Sequence, residues 1–201
     1  MEVLWLDKCA SEFPQSGLYA TIRVMWKLCC TAFGVAVLAA PGVAHAQHAP
    51  LVVELKASHG YSVGTVTFRE TMGGKLNIHI ELINMPPGKH AVHIHENPVC
   101  DAPDFKTSGA HFNPDGRQHG TENPLGHHRG DLPENIFVDD SRTGEASITV
   151  DYLSVVKDAP DSILGTSIII HELADDMKTD PTGNSGNRIA CGVITEPALQ
   201  P

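Results

Sequence analysis

The stretch Gly88-Lys89-His90-Ala91-Val92-His93-Ile94-His95-Glu96 decides how this chain is read. Residues two apart on a β-strand point to the same face, so His93 and His95 would present two imidazoles side by side. Alone, an H-x-H pair is also what two solvent-facing strand histidines look like. Downstream, however, the chain adds His111 in GAHFNP, His119 in RQHG, His128 and Asp131 in HHRGDLP, and His171 in HELADD. Six histidines and one aspartate suffice for two adjacent four-ligand metal sites if one imidazole is shared. Imidazole nitrogen suits copper and zinc alike, and three nitrogens with one carboxylate suit a tetrahedral, redox-silent zinc.

Outward from this stretch the pattern is that of short strands. Lys75–Leu82 alternates, with Leu76, Ile78, Ile80 and Leu82 on one face and Asn77, His79 and Glu81 on the other, which predicts a half-buried strand. Leu51–Lys56 and Tyr61–Glu70 read as two Val- and Thr-rich strands, and Lys89–Glu96 as the strand that carries the histidine pair. Residues 97 to about 133 show neither strand nor helix period. A loop of that length inside a compact domain normally has a function, and metal coordination would order it. Strands resume at Ile136–Val138, Glu145–Val150 and Ser167–His171, a second loop covers Glu172–Asn187, and Arg188–Thr195 closes the pattern. Eight short strands with almost no helical period predict an all-β fold, an eight-stranded antiparallel Greek-key barrel or sandwich with two long functional loops. His48, His59 and His79 read as exposed residues without a role.

The N-terminal part has a different character. Arg23 and Lys27 precede the apolar run LCCTAFGVAVLAA (Leu28–Ala40), and Ala44-His45-Ala46 supplies a small-x-small cleavage site, which together read as a secretory signal over residues 1–46. Met25 is the more usual start for such a leader, leaving 1–24 as an over-extended beginning. The run is short for a bilayer span, so no stable membrane insertion is expected once it is removed. The mature domain is then 47–201, in which Cys100 and Cys191 are the only cysteines and read as one disulfide of an exported protein. Closing a loop that long is worth roughly 4–5 kcal/mol in the chain-entropy picture. The leader carries three acids and three bases, so the formal charge of −10 belongs to the mature domain. That argues against a nucleic-acid partner, which needs a basic face.

Taken together, the motifs GKHAVHIHE, GAHFNP, RQHG, HHRGDLP, HELADD and GNRIACGVI, spread over Gly88–Ile194, resemble the copper/zinc superoxide dismutase family. Their order matches, and so do the steps of eight residues from His111 to His119, nine to His128 and three to Asp131. The short second loop is similar to the exported bacterial branch. The resemblance implies copper bound by His93, His95, His111 and His171, and zinc bound by His111, His119, His128 and Asp131, with His111 bridging. His127 adjoins His128, but the spacing to Gly130-Asp131 favours His128. Asp175 matches the family's carboxylate that hydrogen-bonds the outer nitrogens of His93 and His119, and His90 a structural, non-ligating position. Arg188 stands where the family places the arginine that guides the anion to copper.

The implied activity is conversion of superoxide to dioxygen and hydrogen peroxide at a cycling copper, with His111 and Arg188 as the residues that serve catalysis and His111 carrying a proton. A net charge of −10 looks wrong for an anionic substrate, yet a narrow cleft can focus a local positive potential. Lys178 is a candidate contributor to that field. A copper/zinc buffer outside the cytoplasm would explain the histidines, but not Arg188 or a shared His111. A copper-only relative would lack the complete set His119, His128 and Asp131, and a copper chaperone would carry a cysteine-rich transfer segment. The expected location is the periplasm, the cell envelope or the extracellular space, as a monomer or a homodimer.

Overall fold

The computed structural model describes residues 49–196. The leader expected over residues 1–46 and the histidine at 48 lie outside the described residues. Nine strands follow in order: β1 Leu51–Ala57, β2 Ser62–Glu70, β3 Leu76–Leu82, β4 Gly88–His90, β5 Val92–His95, β6 Ile136–Val138, β7 Gly144–Val150, β8 Thr166–His171 and β9 Arg188–Ile194. They form one sheet in the order β4-β6-β7-β3-β2-β1-β9-β8-β5 in which all the described pairings are antiparallel.

The two edges of that sheet are consecutive in the chain. The sequence predicts a single strand over Lys89–Glu96, and the structure splits it at Ala91, whose N–H donates to the Leu173 carbonyl at 2.8 Å. Before the break the strand pairs with β6, and after it with β8. One kinked strand therefore closes the sheet into a barrel, and the count of nine rather than eight comes from this kink. From β3 the chain crosses over β7 and β6 to reach β4–β5, and from β7 it crosses back to β8, which is Greek-key connectivity.

Alternation builds the barrel's interior. Leu76, Ile78, Ile80 and Leu82 on β3 are all buried, as are Val53 and Leu55 on β1, Val66 and Phe68 on β2, and Ile148 and Val150 on β7. Each such side chain contributes about 1.5–3 kcal/mol by leaving water, so a one-residue register slip, which turns the whole set outward, is strongly disfavoured. β5 and β8 depart from this rule: Val92–His95 and Thr166–His171 are buried at every position. Val92 and Ile94 face the core, and the opposite face is covered by the two long loops. Among the described residues no helix is long and apolar enough to cross a membrane; the single helical turn is a 3-10 turn at Lys106–Ser108, which the sequence pattern did not signal.

Candidate metal centre

The first loop is stitched to β5 through backbone. Phe112 N–H donates to the Ile94 carbonyl at 2.8 Å, Ile94 N–H to Gly130 at 2.9 Å, and Gly130 N–H to Phe112 at 2.8 Å. These contacts pair His111 with His95 and Asp131 with His93 as isolated bridges. Gly130 has no room for a side chain, because a Cβ there would run into the Ile94 carbonyl oxygen and lie 2.9 Å from the Phe112 nitrogen. His171 ends β8 at a register irregularity opposite Arg188. The second loop then folds over the first, with Asn135 Nδ2–H donating to the Asp175 carbonyl at 3.0 Å and Asp175 N–H to Asn135 Oδ1 at 2.8 Å.

These elements bring the expected residues together. One ligand atom from each of His93, His95, His111 and His171 lies within 4.8 Å of the others, and the same holds for His93, His111, His119 and Asp131. His128 joins the second group from the side: its Nδ1 is 3.2 Å from Asp131 Oδ1 and 3.4 Å from His111 Nδ1. His111 Nδ1 and His119 Nδ1 lie 2.9 and 3.0 Å from the same carboxylate oxygen. All seven side chains are buried. The first group is purely imidazole and the second centres on Asp131; His93 and His111 belong to both, and of these two only His111 also touches Asp131, through Nδ1.

The ring nitrogens divide into an outer and an inner set. On the outside, His93 Nε2 meets Asp175 Oδ2 at 2.7 Å, His119 Nε2 meets Asp175 Oδ1 at 3.0 Å, and His95 Nδ1 donates to the Gly109 carbonyl at 3.0 Å. His171 Nδ1 lies 3.1 Å from Ser185 Oγ. Inside, His93 Nδ1 and His111 Nε2 are buried without a hydrogen-bond partner, His119 Nδ1 faces Asp131 Oδ1 at 3.0 Å, and His95 Nε2 and His171 Nε2 face each other at 3.4 Å. Orphaned buried ring nitrogens are costly unless something binds them, and a lone pair aimed inward with its opposite nitrogen fixed by a carboxylate or carbonyl is how metal-ligating histidines are held.

The electrostatics agree. Burial pushes His95 far below the usual imidazole range, reinforced by His111, and holds His111 down at about 4 and His171 at about 2, the latter also through His93 and His111. These rings are neutral at pH 7 and offer lone pairs. Burial opposes charge on His119 too, but hydrogen bonds to Asp131 and Asp175 win and raise it to about 9. Burial alone would raise Asp131, and contacts with His111, His119 and His128 instead hold it well below the carboxylate range.

Asp175 thus has one oxygen on each cluster. Gly183 makes room for it: a Cβ there would collide with Asp175 Oδ1 and come within 2.6 Å of His119 Nε2. His127 points elsewhere; its Nδ1 donates to the His128 carbonyl at 2.6 Å and its ring packs edge-on against Tyr152. His90 is buried with its two nitrogens 2.8 Å from the His171 and Pro86 carbonyls. His59 is exposed, and His79 is half-buried with Nε2 3.8 Å from Glu145. Arg188 is half-buried and donates to the Phe105 carbonyl, Ser108 Oγ and the Gly109 carbonyl at 2.8, 2.9 and 2.7 Å. Cys100 and Cys191 form a disulfide that packs with Phe105 and Ile169 beneath this region. Lys178 is paired with Glu122 at 2.8 Å, so its charge is met locally. The sequence reading did not find Asn135, Ser185, Ser108 or Tyr152, whose hydroxyl donates to the Asp131 carbonyl at 2.8 Å. Each is a common loop residue and sits in no distinctive spacing.

Comparison with known proteins accords with this architecture. Residues 62–194 match the family model for copper/zinc superoxide dismutase, and the chain belongs to that family. A copper-zinc superoxide dismutase of Aquifex aeolicus is 42% identical over 139 residues, covering 67% of this chain and 81% of the relative. The crystal structure of a superoxide-dismutase-like protein from Bacillus subtilis superposes with a TM-score of 0.69 at 38% identity, over 73% of this chain and 99% of that one. The Cu/Zn superoxide dismutase from Brucella abortus gives 0.62 at 27% identity, over 73% and 99%.

Proposed function

We propose that the protein disproportionates superoxide, taking two superoxide ions and two protons to dioxygen and hydrogen peroxide. In this reading copper is held by His93, His95, His111 and His171, and zinc by His111, His119, His128 and Asp131. The observation that carries it is the division of ring nitrogens: outer atoms are engaged by Asp175, Gly109 and Ser185, while His93 Nδ1 and His111 Nε2 are buried and unpartnered and His119 Nδ1 turns inward onto Asp131. Four imidazoles suit copper in both oxidation states, and the carboxylate-containing set suits zinc. When bound, copper supplies a reversible one-electron couple and zinc a fixed positive charge.

The chain's own residues do the rest. His111 faces the all-imidazole cluster through Nε2 and the Asp131 side through Nδ1, so one ring couples the clusters and can hold a proton at Nε2. Asp175 fixes the tautomers of His93 and His119. Arg188 keeps a cation beside the all-imidazole cluster, where it can draw in a small anion. Burial of the ligands keeps bulk water from competing for their lone pairs. Every proposed ligand comes from one chain, so a single copy completes the site, whether the protein is a monomer or a homodimer. The Cys100–Cys191 disulfide fits an oxidising compartment, and with the leader-like residues 1–46 it supports export to the periplasm or cell envelope.

Reconstitution of the protein with Cu(II) and Zn(II) tests the reading. One ion of each per chain is expected, together with catalytic formation of one hydrogen peroxide for every two superoxide ions consumed. Tight binding of both ions without turnover would make the protein a metal store instead.

A further inference from the structure

The geometry points to Ser108 as a positioning residue for Arg188: its buried hydroxyl is the side-chain arm of a three-point clamp that fixes the guanidinium beside the all-imidazole cluster and thereby sets how strongly the site draws anions. This rests on the reading of Arg188 as the residue that attracts the anion.

Arg188 reaches three acceptors. Two are main-chain carbonyls, Phe105 at 2.8 Å from Nη1 and Gly109 at 2.7 Å from Nη2. The third is Ser108 Oγ, 2.9 Å from Nη1, and it is the one side chain hydrogen-bonded to the guanidinium among the described residues. Ser108 closes the 3-10 turn Lys106–Ser108 and is fully buried, at 0% exposure. A buried hydroxyl is costly unless its hydrogen-bonding capacity is used. Here it is used twice, since the hydroxyl donates to the Phe105 carbonyl at 2.8 Å and accepts from Arg188. Phe105 is in turn locked in a small apolar cluster with Ile169 and the Cys100–Cys191 bridge. The clamp is therefore anchored to β8, β9 and the disulfide rather than to a free loop.

The clamp also touches a proposed copper ligand. The Gly109 carbonyl that accepts from Arg188 accepts from His95 Nδ1 as well, at 3.0 Å, and Ser108 Oγ lies 3.5 Å from the same nitrogen. Guanidinium and imidazole thus share one short backbone segment, and their separation depends on how that segment is held. Without the hydroxyl, Nη1 keeps a single acceptor. The field of Asp104, the acid that acts on Arg188, then competes more effectively for the loosened guanidinium. Alanine at this position leaves the positive charge present but less fixed in place.

The test is azide titration of the protein loaded with copper and zinc, followed by the azide-to-copper charge-transfer absorption, for the wild type, Ser108→Ala, Arg188→Ala and the double variant. Metal content and the copper EPR spectrum are recorded for each. Arg188→Ala is expected to lose most of the azide affinity. Ser108→Ala should weaken azide about three- to tenfold, less than removal of the charge, because a charged hydrogen-bond network is loosened rather than deleted. Added to Arg188→Ala, it should cost nothing further, since the two act as a unit. Unchanged affinity in Ser108→Ala, an equal loss in the Arg188→Ala background, or loss of copper from Ser108→Ala would each overturn the positioning role. If Arg188→Ala itself binds azide like the wild type, the reading of Arg188 fails first and the clamp has nothing to position.

Discussion

Asp175 illustrates what a single residue contributes to this centre. Its two carboxylate oxygens take Nε2 of His93 and Nε2 of His119, so it orients one ring of each cluster without touching the space between them. Its position is secured by Asn135 on both sides of its peptide and by the Met177 N–H at 2.6 Å. The adjacent histidines 127 and 128 show the other side of the problem. Sequence offers two candidates one residue apart, and the structure turns His128 toward Asp131 while His127 packs on Tyr152. His128→Ala is therefore expected to lower zinc affinity at least about tenfold, while His127→Ala leaves it within about twofold, judged against the usual 10–100-fold cost of disturbing a metal ligand's support. Chelator competition with the zinc-loaded variants checks this, and a larger loss for His127→Ala would reverse the assignment. The ligand-type residues were legible because metal chemistry admits few residue types and their spacing is distinctive. Asn135, Ser185 and Ser108 were not, because a loop asparagine or serine acts only through partners far away in sequence, at separations such as 40 and 80 residues.

The elements divide along the same line. β3 was legible because one of its faces meets the core and the other meets water, so its sequence alternates. β5 and β8 hide both faces: the alternation of Val92–His95 marks a core face and a ligand face rather than a core face and a wet one, and Thr166–His171 carries a run of three isoleucines with no alternation. The motif, rather than the periodicity, located β5. The kink at Ala91 and the 3-10 turn at Lys106–Ser108 depend on the Leu173 carbonyl and on Phe105 packing, neither of which leaves a local signature. The first loop is held by three devices: its backbone bonds to β5, the clasp with the second loop, and the Cys100–Cys191 bridge. Removing the bridge through Cys100→Ser should cost about 2–5 kcal/mol of stability, the usual range for a native disulfide, and should speed zinc transfer to a chelator. Thermal unfolding and zinc-release kinetics measure the two effects. An unchanged melting temperature with unchanged zinc retention would show that the backbone stitching to β5 suffices alone.

For the molecule as a whole, the cluster makes the metal-free protein sensitive to pH on both sides of neutrality. His111 and His171 titrate at about 4 and about 2 in the folded state, against 6.5 for a free imidazole. Below pH 6.5 the unfolded chain takes up protons that the folded chain refuses, so stability falls as the solution is acidified. His119 is raised to about 9. Its contribution is complete below pH 6.5 and is lost progressively as the pH rises from there through about 9. The metal-free melting temperature should therefore peak near pH 6.5–7 and decline toward both pH 4 and pH 9, an expectation of about that width from these linked titrations. A melting temperature that climbs steadily from pH 6.5 to 9 would contradict the hydrogen bonds assigned to His119. Bound zinc should flatten the alkaline limb, since the metal replaces the proton on that ring.

The net charge of −10 is also a property of the whole molecule, and it opposes the approach of an anionic substrate. An acidic protein can draw in an anion only if a local field prevails, and Arg188 is the cation proposed to supply it. Superoxide dismutases are among the enzymes that reach the diffusional ceiling of about 10⁸–10⁹ M⁻¹s⁻¹, so steering has a direct effect on rate. The most direct measurement is the second-order rate of superoxide decay on the copper- and zinc-loaded protein as ionic strength is raised. A rate near that ceiling that falls with added salt is expected, with a slower, flatter profile for Arg188→Ala. Decay no faster than in metal-free solution, with both ions shown to be bound, would contradict it.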